Sequence, residues 1–381
     1  MNALALLFLL AFAISVDLRI IAPVLPSITE SLHATPGAIG QAMTSYAIAY
    51  GAGQLVYGSL SDRHGRVAVV RLAALGWSVC TALSALCTST WQFVGVRLLA
   101  GAFAGSVIPL TLVYIGDTVE YARRQVVVGR FSVVTSAGLA FSAAIGGAVA
   151  HFVSWRAMLI GYALLALLPA GLLWRLPAGA PARPPGEVEP VARFADFLRD
   201  PFGRRVYGGV FAESFLLWGA VTYLGAYAAS RYRLDQFTVG LLLALLGVGT
   251  MAGGALMAPI RRHLSEPRLA RWGGLLMGVS LLLILPARTW PSFAVAMLLL
   301  GLGFVGLHTT LQVYGTEISQ AARGKAFSLF PASLSAGMAA GTAVMGPLVD
   351  AGGERLMLAI CGVGLVAVGA VTARIRRRRR A

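Results

Sequence analysis

Twelve apolar runs, each long enough to cross a bilayer as a helix, follow one another along this chain with short polar breaks between them. In the first half they fall near 4–25, 37–60, 68–88, 91–115, 129–151 and 156–175. In the second half they fall near 205–229, 237–260, 269–286, 291–315, 325–348 and 355–373. A helix needs about 20 mostly apolar residues to span the hydrocarbon core, and a spanning segment must satisfy its own backbone there. The runs therefore predict an all-α membrane protein of twelve transmembrane helices. The Gly and Pro residues inside them are no objection, because closely packed membrane helices tolerate both. Composition agrees: 57% of the residues are apolar and only 12% are charged, against about 25% charged in soluble domains.

The breaks between runs carry the charge. Of 31 basic residues, all Arg except Lys325, 24 lie after the even-numbered spans or in the C-terminal tail, and five lie after the odd-numbered spans. Such asymmetry is a topology signal and places both termini in the cytoplasm. A nucleic-acid binder would gather its basic residues on one folded face, so the net charge of +16 does not imply nucleic acid. Met1 to Leu10 has no basic leader, and Asp17 and Arg19 interrupt the apolar run, so the first segment is expected to stay as a helix. Cys80, Cys87 and Cys361 lack metal-ligand spacing and read as packing residues. No G-x-x-x-x-G-K-[ST] loop occurs, so neither ATP drive nor any cofactor is expected.

Residues 176–203 divide the chain into an N-terminal six-helix bundle (1–175) and a C-terminal one (204–373), followed by a basic tail (374–381). The Pro- and Ala-rich run reads as a cytoplasmic linker, and ARFADFLRDPF as a short amphipathic helix. The tail is expected to fix topology and touch anionic lipid. The halves repeat at an offset of 200: Tyr114 matches Tyr314, Asp117 meets Glu317 and Arg123 matches Arg323, with Gly40/Gly240, Gly53/Gly253, Gly101/Gly301 and Gly146/Gly346. A parallel repeat of six spans implies two bundles with a site between them, the architecture of alternating access.

Between spans 2 and 3 the chain reads Gly58-Ser-Leu-Ser-Asp62-Arg63-His-Gly65-Arg66. This resembles the G-x-x-x-D-R-x-G-R-R loop of the major facilitator superfamily, departing from it at Val67. Arg97-Leu-Leu-Ala-Gly101-Ala-Phe-Ala-Gly105 in span 4 is similar to the family's R-x-x-x-G-x-x-x-[GA] pattern. Span 5 carries Ser142-Ala-Ala-Ile-Gly146-Gly147 where family antiporters have G-P-x-x-G-G. The resemblance covers essentially the whole chain and points to the bacterial drug/metabolite:proton antiporter branch, permeases like those for arabinose and multidrug efflux. It implies a gate latch in which Asp62 lies against span 11 in the outward-open state, where a helix N-terminus favours an anion, while Arg63 and Arg66 pair with acids such as Asp117. Gly58 and Gly65 would permit close approach and a tight turn.

Asp17 and Glu213 are the acids well inside spans, where an ionised side chain needs a partner or water. At 1.5 Å per residue Asp17 lies about 20 Å into span 1 and Arg97 about 10 Å from the far end of span 4, a similar depth. Spans 1 and 4 both line the central cavity in the resembling fold, so the two are expected to form a buried pair whose breaking is coupled to proton uptake, with Arg19 snorkelling to the surface. Glu213, about 13 Å into span 7, is a second proton site, a ligand for a cationic substrate, or the hydrogen-bonded partner of a Tyr or Ser. Tyr46, Tyr50, Gln54 and Tyr57 share one face of span 2. Tyr50, Gln54, Trp218, Tyr223 and Gln312 are the candidates for lining a substrate cavity, while His308 falls near the end of span 10, away from a central role.

The resemblance implies a secondary active transporter of the bacterial inner membrane, not an enzyme. Its partners would be a small-molecule substrate, protons and lipid, and a monomer is the family's default. Proton-coupled export of a small organic molecule, drug-like or metabolite, is the first reading. Uptake by symport is the alternative within transport, and a transport-inactive membrane sensor is the alternative outside it.

Overall fold

The computed structural model describes residues 3–17, 20–175, 194–319 and 323–375, and every regular element among them is helical. Arg19, the Pro-rich stretch 176–193 and most of the basic tail lie outside the described residues. The first half holds α1 (Ala3–Asp17), α2 (Ile21–Ser31), α3 (Pro36–His64), α4 (Arg66–Ser84), α5 (Thr90–Ala104), α6 (Val107–Thr118), α7 (Tyr121–Phe152) and α8 (Trp155–Leu173). The second holds α9 (Phe194–Arg199), α10 (Pro201–Tyr232), α11 (Gln236–His263), α12 (Glu266–Ile284), α13 (Trp290–Gly315), α14 (Arg323–Asp350) and α15 (Glu354–Thr372).

Short polar residues set where these helices begin, by accepting the first backbone N–H groups that no helix can satisfy internally. Thr35 caps α3, Ser89 closes a capping box with Gln92 on α5, Ser154 caps α8, and Asp200 and Asp235 cap α10 and α11. Gly65, at φ 86°, makes the turn from α3 into α4, a backbone region that other residues reach only with strain.

Ten helices, with Thr90–Thr118 counted as one, are long and apolar enough to cross a membrane. The pair α1–α2, bent by 57° just after Asp17, brings the number to eleven. The run expected as span 2 is α3, long enough at 29 residues. Its Gly, Ser, Thr, Tyr and Gln content leaves it too polar to join them. The second half starts earlier than the expected border, at Pro201, and α9 occupies part of the expected amphipathic stretch. Phe197 of α9 is buried with Phe202, Tyr207, Tyr314 and Ala326, and this helix is pinned to α10 and α14.

Three helix pairs make most of the contact between the two halves: α3 with α14, α7 with α11, and α2 with α10. Glycines let their backbones touch. A Cβ on Gly37 would lie 2.7 Å from the Gly346 carbonyl carbon, one on Gly147 2.5 Å from the Gln236 oxygen, and one on Gly225 2.4 Å from the Ala22 oxygen. The contact continues inward to Gly51 against Ser335 and Gly247 against Ala140. Beyond that it stops: Gly58, Gly129 and Gly254, further along α3, α7 and α11, would meet nothing within 4 Å. The halves are sealed at the end that carries Asp350 and parted towards the end that carries Gly65.

Candidate functional site

Two charged centres lie deep between the helices. Asp17, 1% exposed, is the last residue of α1, at the bend into α2. Its Oδ1 accepts from Nη1 of Arg97 on α5 at 2.9 Å, and its Oδ2 accepts from the Trp77 indole N–H on α4 at 2.9 Å. The Arg97 guanidinium also lies over the Tyr46 ring, 4.4 Å from its centre, so α3 closes the fourth side. At this bend Ser142 of α7 donates to the Val16 carbonyl at 2.6 Å. A guanidinium does not give up its proton in proteins. The counter-charge on Asp17 is therefore permanent.

The second centre is built differently. Glu213 of α10 is 1% exposed, and its Oε2 lies 2.9 Å from Nδ1 of His308 on α13. Its Oε1 is buried with no hydrogen-bond partner among the described residues. The His308 ring stacks on Phe304, with centroids 4.6 Å apart, and meets Phe330 edge-on at 5.4 Å. Phe304 in turn packs against Trp218 at 5.9 Å. Here a buried carboxylate has a counter-charge only while an imidazole carries a second proton. Beside it, a cavity of about 290 Å³ opens between α7, α11 and α13, lined in part by Ser136, Leu139, Thr250, Met251, Phe304 and His308. With Nδ1 engaged by Glu213, Nε2 is the polar atom His308 has left for that cavity.

The loop between α3 and α4 forms a compact ionic cluster. Arg66 pairs with Asp62, bonds Ser61 Oγ at 2.5 Å and reaches Asp117 Oδ2 with Nε at 3.2 Å. The expected Arg66–Asp117 pair is present. Asp62 lies against Arg66, one turn on; its contact with span 11 is implied for the outward-open state, and in this conformation α3 and α14 are apart at this end. For the same reason Gly58 makes no close approach. Arg63 is exposed and has no ion-pair partner among the described residues.

Of the expected cavity residues, Tyr50 is buried and stacked on Tyr46 with ring centres 6.1 Å apart, and Gln54 is half-buried with Oε1 unpartnered. Trp218 joins the aromatic surround of Glu213 through Phe304. Tyr223 is sealed in the seam instead: its hydroxyl donates to the Thr342 carbonyl at 2.9 Å and fills the space over Gly40. Gln312 is exposed, one turn beyond His308 on α13.

Comparison with known proteins agrees with this architecture. The family model of the Major Facilitator Superfamily matches residues 7–330. The chain belongs to the major facilitator superfamily. It is 26% identical over 357 residues to an uncharacterised MFS-type transporter, YceJ of Bacillus subtilis, covering 91% of this chain and 89% of that one. A shorter match, 31% over 199 residues, is to the multidrug efflux pump LfrA of Mycolicibacterium smegmatis, covering 51% of this chain and 39% of the pump. Its fold matches the crystal structure of a bacterial homologue of the human lysosomal transporter Spinster in an inward-facing, unoccupied conformation. The TM-score is 0.80 at 15% identity, over 98% of this chain and 96% of that one.

Within this transporter, sequence reasoning passes over His308, Trp77 and Tyr46 as partners of the buried charges. His308 carried a usable signal. It lies about 10 Å from the end of span 10, and Glu213 lies about 13 Å from the start of span 7, at the same end of the bundle. Equal depth in two spans pairs them, as it does Asp17 with Arg97. The hydrogen-bonded partner of Glu213 is thus an imidazole, not the Tyr or Ser hydroxyl named in one of the three readings of that residue.

Proposed function

We propose that this chain is a proton-coupled exporter of a small organic molecule, working by alternating access between two six-helix bundles. In this reading the bundles are residues 1–175 and 204–373, joined by a cytoplasmic linker. α3 is the twelfth span, polar because it lines the path between halves. The Gly65 end and both termini face the cytoplasm of a bacterial inner-membrane protein, as the Arg distribution supports. The molecule acts as a monomer.

The observation that carries proton coupling is the Glu213–His308 pair. With Glu213 ionised and His308 neutral the pair holds one net negative charge; adding one proton brings it to zero, whichever residue takes it. A buried net charge is costly and a neutral pair is not, so proton occupancy changes the free energy of closing the site. Asp17, matched by Arg97 in this conformation, is proposed to respond to the movement of α5 against α1 rather than to store the proton itself. The cavity beside His308 is near the small end of ligand sites and is mostly apolar, which suits a lipophilic compound.

His308 also separates export by exchange from the alternative, uptake by symport. While His308 is neutral with its proton on Nδ1, Nε2 accepts hydrogen bonds; once doubly protonated it donates. A substrate that donates to Nε2 competes with the proton and is exchanged for it. A substrate that accepts from Nε2 binds together with the proton. The symport reading draws on Ser142 and Ala143, which stand where family antiporters have Gly-Pro.

The test is proton movement in inverted vesicles holding an acid interior, challenged with a compound panel, wild type beside Glu213→Gln. Alkalinisation on adding a compound, lost in the variant, is the expected result. Accumulation that needs co-directional protons would replace export with symport. Absence of any response across sugars, amino acids, organic acids and lipophilic amines, in folded protein, would favour the sensor.

A further inference from the structure

Helices α3 and α14 run antiparallel across the seam between halves, and each carries an aspartate near its C-terminus. On α3 this is Asp62 and on α14 it is Asp350. At the sealed end, Asp350 reaches over the N-terminus of α3: its Oδ1 accepts from the Gly37 N–H at 2.7 Å and its Oδ2 accepts from the Thr35 hydroxyl at 2.6 Å. Thr35 is itself the N-cap of α3, its oxygen accepting from the Ala38 N–H at 3.2 Å. The carboxylate thus satisfies a first-turn donor that the helix leaves open and sits where the helix dipole favours an anion.

The packing around this contact is specific to it. A Cβ on Gly37 would lie 2.4 Å from Asp350 Oδ2 and 2.7 Å from the Gly346 carbonyl carbon. A Cβ on Gly40 would lie 2.0 Å from the Tyr223 hydroxyl. Only glycine at both positions lets α3 come close enough for the carboxylate to reach its backbone. At the other end Asp62 is turned to Arg66, and Gly58 faces open space. One of the two aspartates is across the seam and the other is not.

We propose that Asp350 is a positioning residue for transport: it holds this end of the molecule shut, and its carboxylate must leave the α3 N-terminus each time that end opens. The bond joins the C-terminus of a second-half helix to the N-terminus of a first-half helix, so the two helix ends cannot separate without breaking it. Asp350 lies at an exposed rim, where water replaces part of what is lost, so the bias it supplies is moderate. Removing a charge-assisted bond of this kind shifts a two-state equilibrium by about five-fold.

The experiment measures distances between spin labels at Leu86→Cys and Arg288→Cys, on turns at this end of the two halves, with the native cysteines replaced. The full chain is used in lipid nanodiscs. Asp350→Asn and Asp350→Ala are expected to raise the long-distance population about five-fold over the parent. Thr35→Val is expected to move it the same way by less, and Thr35→Ser to leave it unchanged. Asp62→Asn is not expected to raise the long-distance population. If Asp350→Ala does not yield folded protein, Asp350→Asn and Thr35→Val decide. An unchanged distance distribution in these variants, or a lowered melting temperature with no change in the ratio of populations, would assign Asp350 to local packing and overturn the proposal.

Discussion

Nδ1 of His308 lies 2.9 Å from Oε2 of Glu213, and the two residues come from α13 and α10, 95 positions apart in the chain. Both are enclosed by aromatic rings from α10, α13 and α14, so the pair has little solvent with which to share a change in charge. The Arg97–Asp17 pair has the same 2.9 Å separation but cannot change its charge by taking up a proton onto the cation.

This contrast separates coupling from translocation. Glu213→Gln leaves a neutral side chain of nearly the same shape, so the conformational cycle can proceed without a proton. In proteoliposomes, uphill transport driven by a proton gradient should fall at least about tenfold, while substrate counterflow, which needs no net proton movement, is retained. Equal loss of both would place Glu213 in substrate binding or folding instead.

Arg97→Leu removes the permanent cation and leaves Asp17 buried beside Trp77. A buried charge stripped of its partner costs about 3 kcal/mol or more, so the thermal transition in detergent should drop by several degrees. Asp17→Asn keeps an oxygen for the Trp77 indole but leaves Arg97 unpaired, and should also destabilise. The double variant Asp17→Asn/Arg97→Leu is expected to be more stable than Arg97→Leu alone, because no unpaired charge remains. Additive losses would mean the two residues do not share one interaction.

Helix depth at 1.5 Å per residue, together with the resemblance that puts spans 1 and 4 on one cavity, is enough to pair Asp17 with Arg97, and the same resemblance implies the pair of Arg66 with Asp117. The same arithmetic applies to Glu213 and His308, but it needs both ends of each span to be referred to one face of the membrane. What sequence cannot supply is the state of the seam. Tyr223 reads as a polar aromatic for a cavity, yet it is locked between Gly40 and Thr342 because that end is closed. Asp62 reads as a latch to span 11, and here it folds back on Arg66 because the other end is open. Asp350 falls at a span border, where a lone acid looks like a loop residue until α3 is seen beside it.

Glycine substitutions should report helix packing unevenly, within a bundle and along the seam. A Cβ on Gly101 would lie 2.3 Å from the Tyr46 carbonyl oxygen, and one on Gly105 2.5 Å from that of Tyr50. Both clashes are with backbone, which cannot move aside, so Gly101→Ala and Gly105→Ala should each cost about 1–3 kcal/mol. Gly58→Ala meets nothing and should leave the melting temperature nearly unchanged, within about 0.5 kcal/mol. Loss of transport in Gly58→Ala without loss of stability would indicate that Gly58 is closely packed in another state of the cycle.

The cap of α11 gives a pH test that is independent of transport. Asp235 Oδ1 accepts from the Thr238 N–H at 2.9 Å and Oδ2 from its hydroxyl at 2.9 Å, with His151 4.0 Å away. The backbone bond from Thr238 is the largest cause holding the Asp235 carboxyl below its ordinary value of 3.8. A carboxyl lowered in the folded state binds its proton less readily there than in the unfolded chain. Its stabilisation is therefore complete above the ordinary value and fades as pH falls through the lowered one. The residue is largely exposed, so Asp235→Ala should cost less than about 1 kcal/mol. The difference in melting temperature between wild type and Asp235→Ala should be flat from about pH 8 to 5 and shrink below about pH 4. A difference that grew steadily as pH fell from about 8 to 6 would place the stabilisation in the His151 ion pair rather than in the cap.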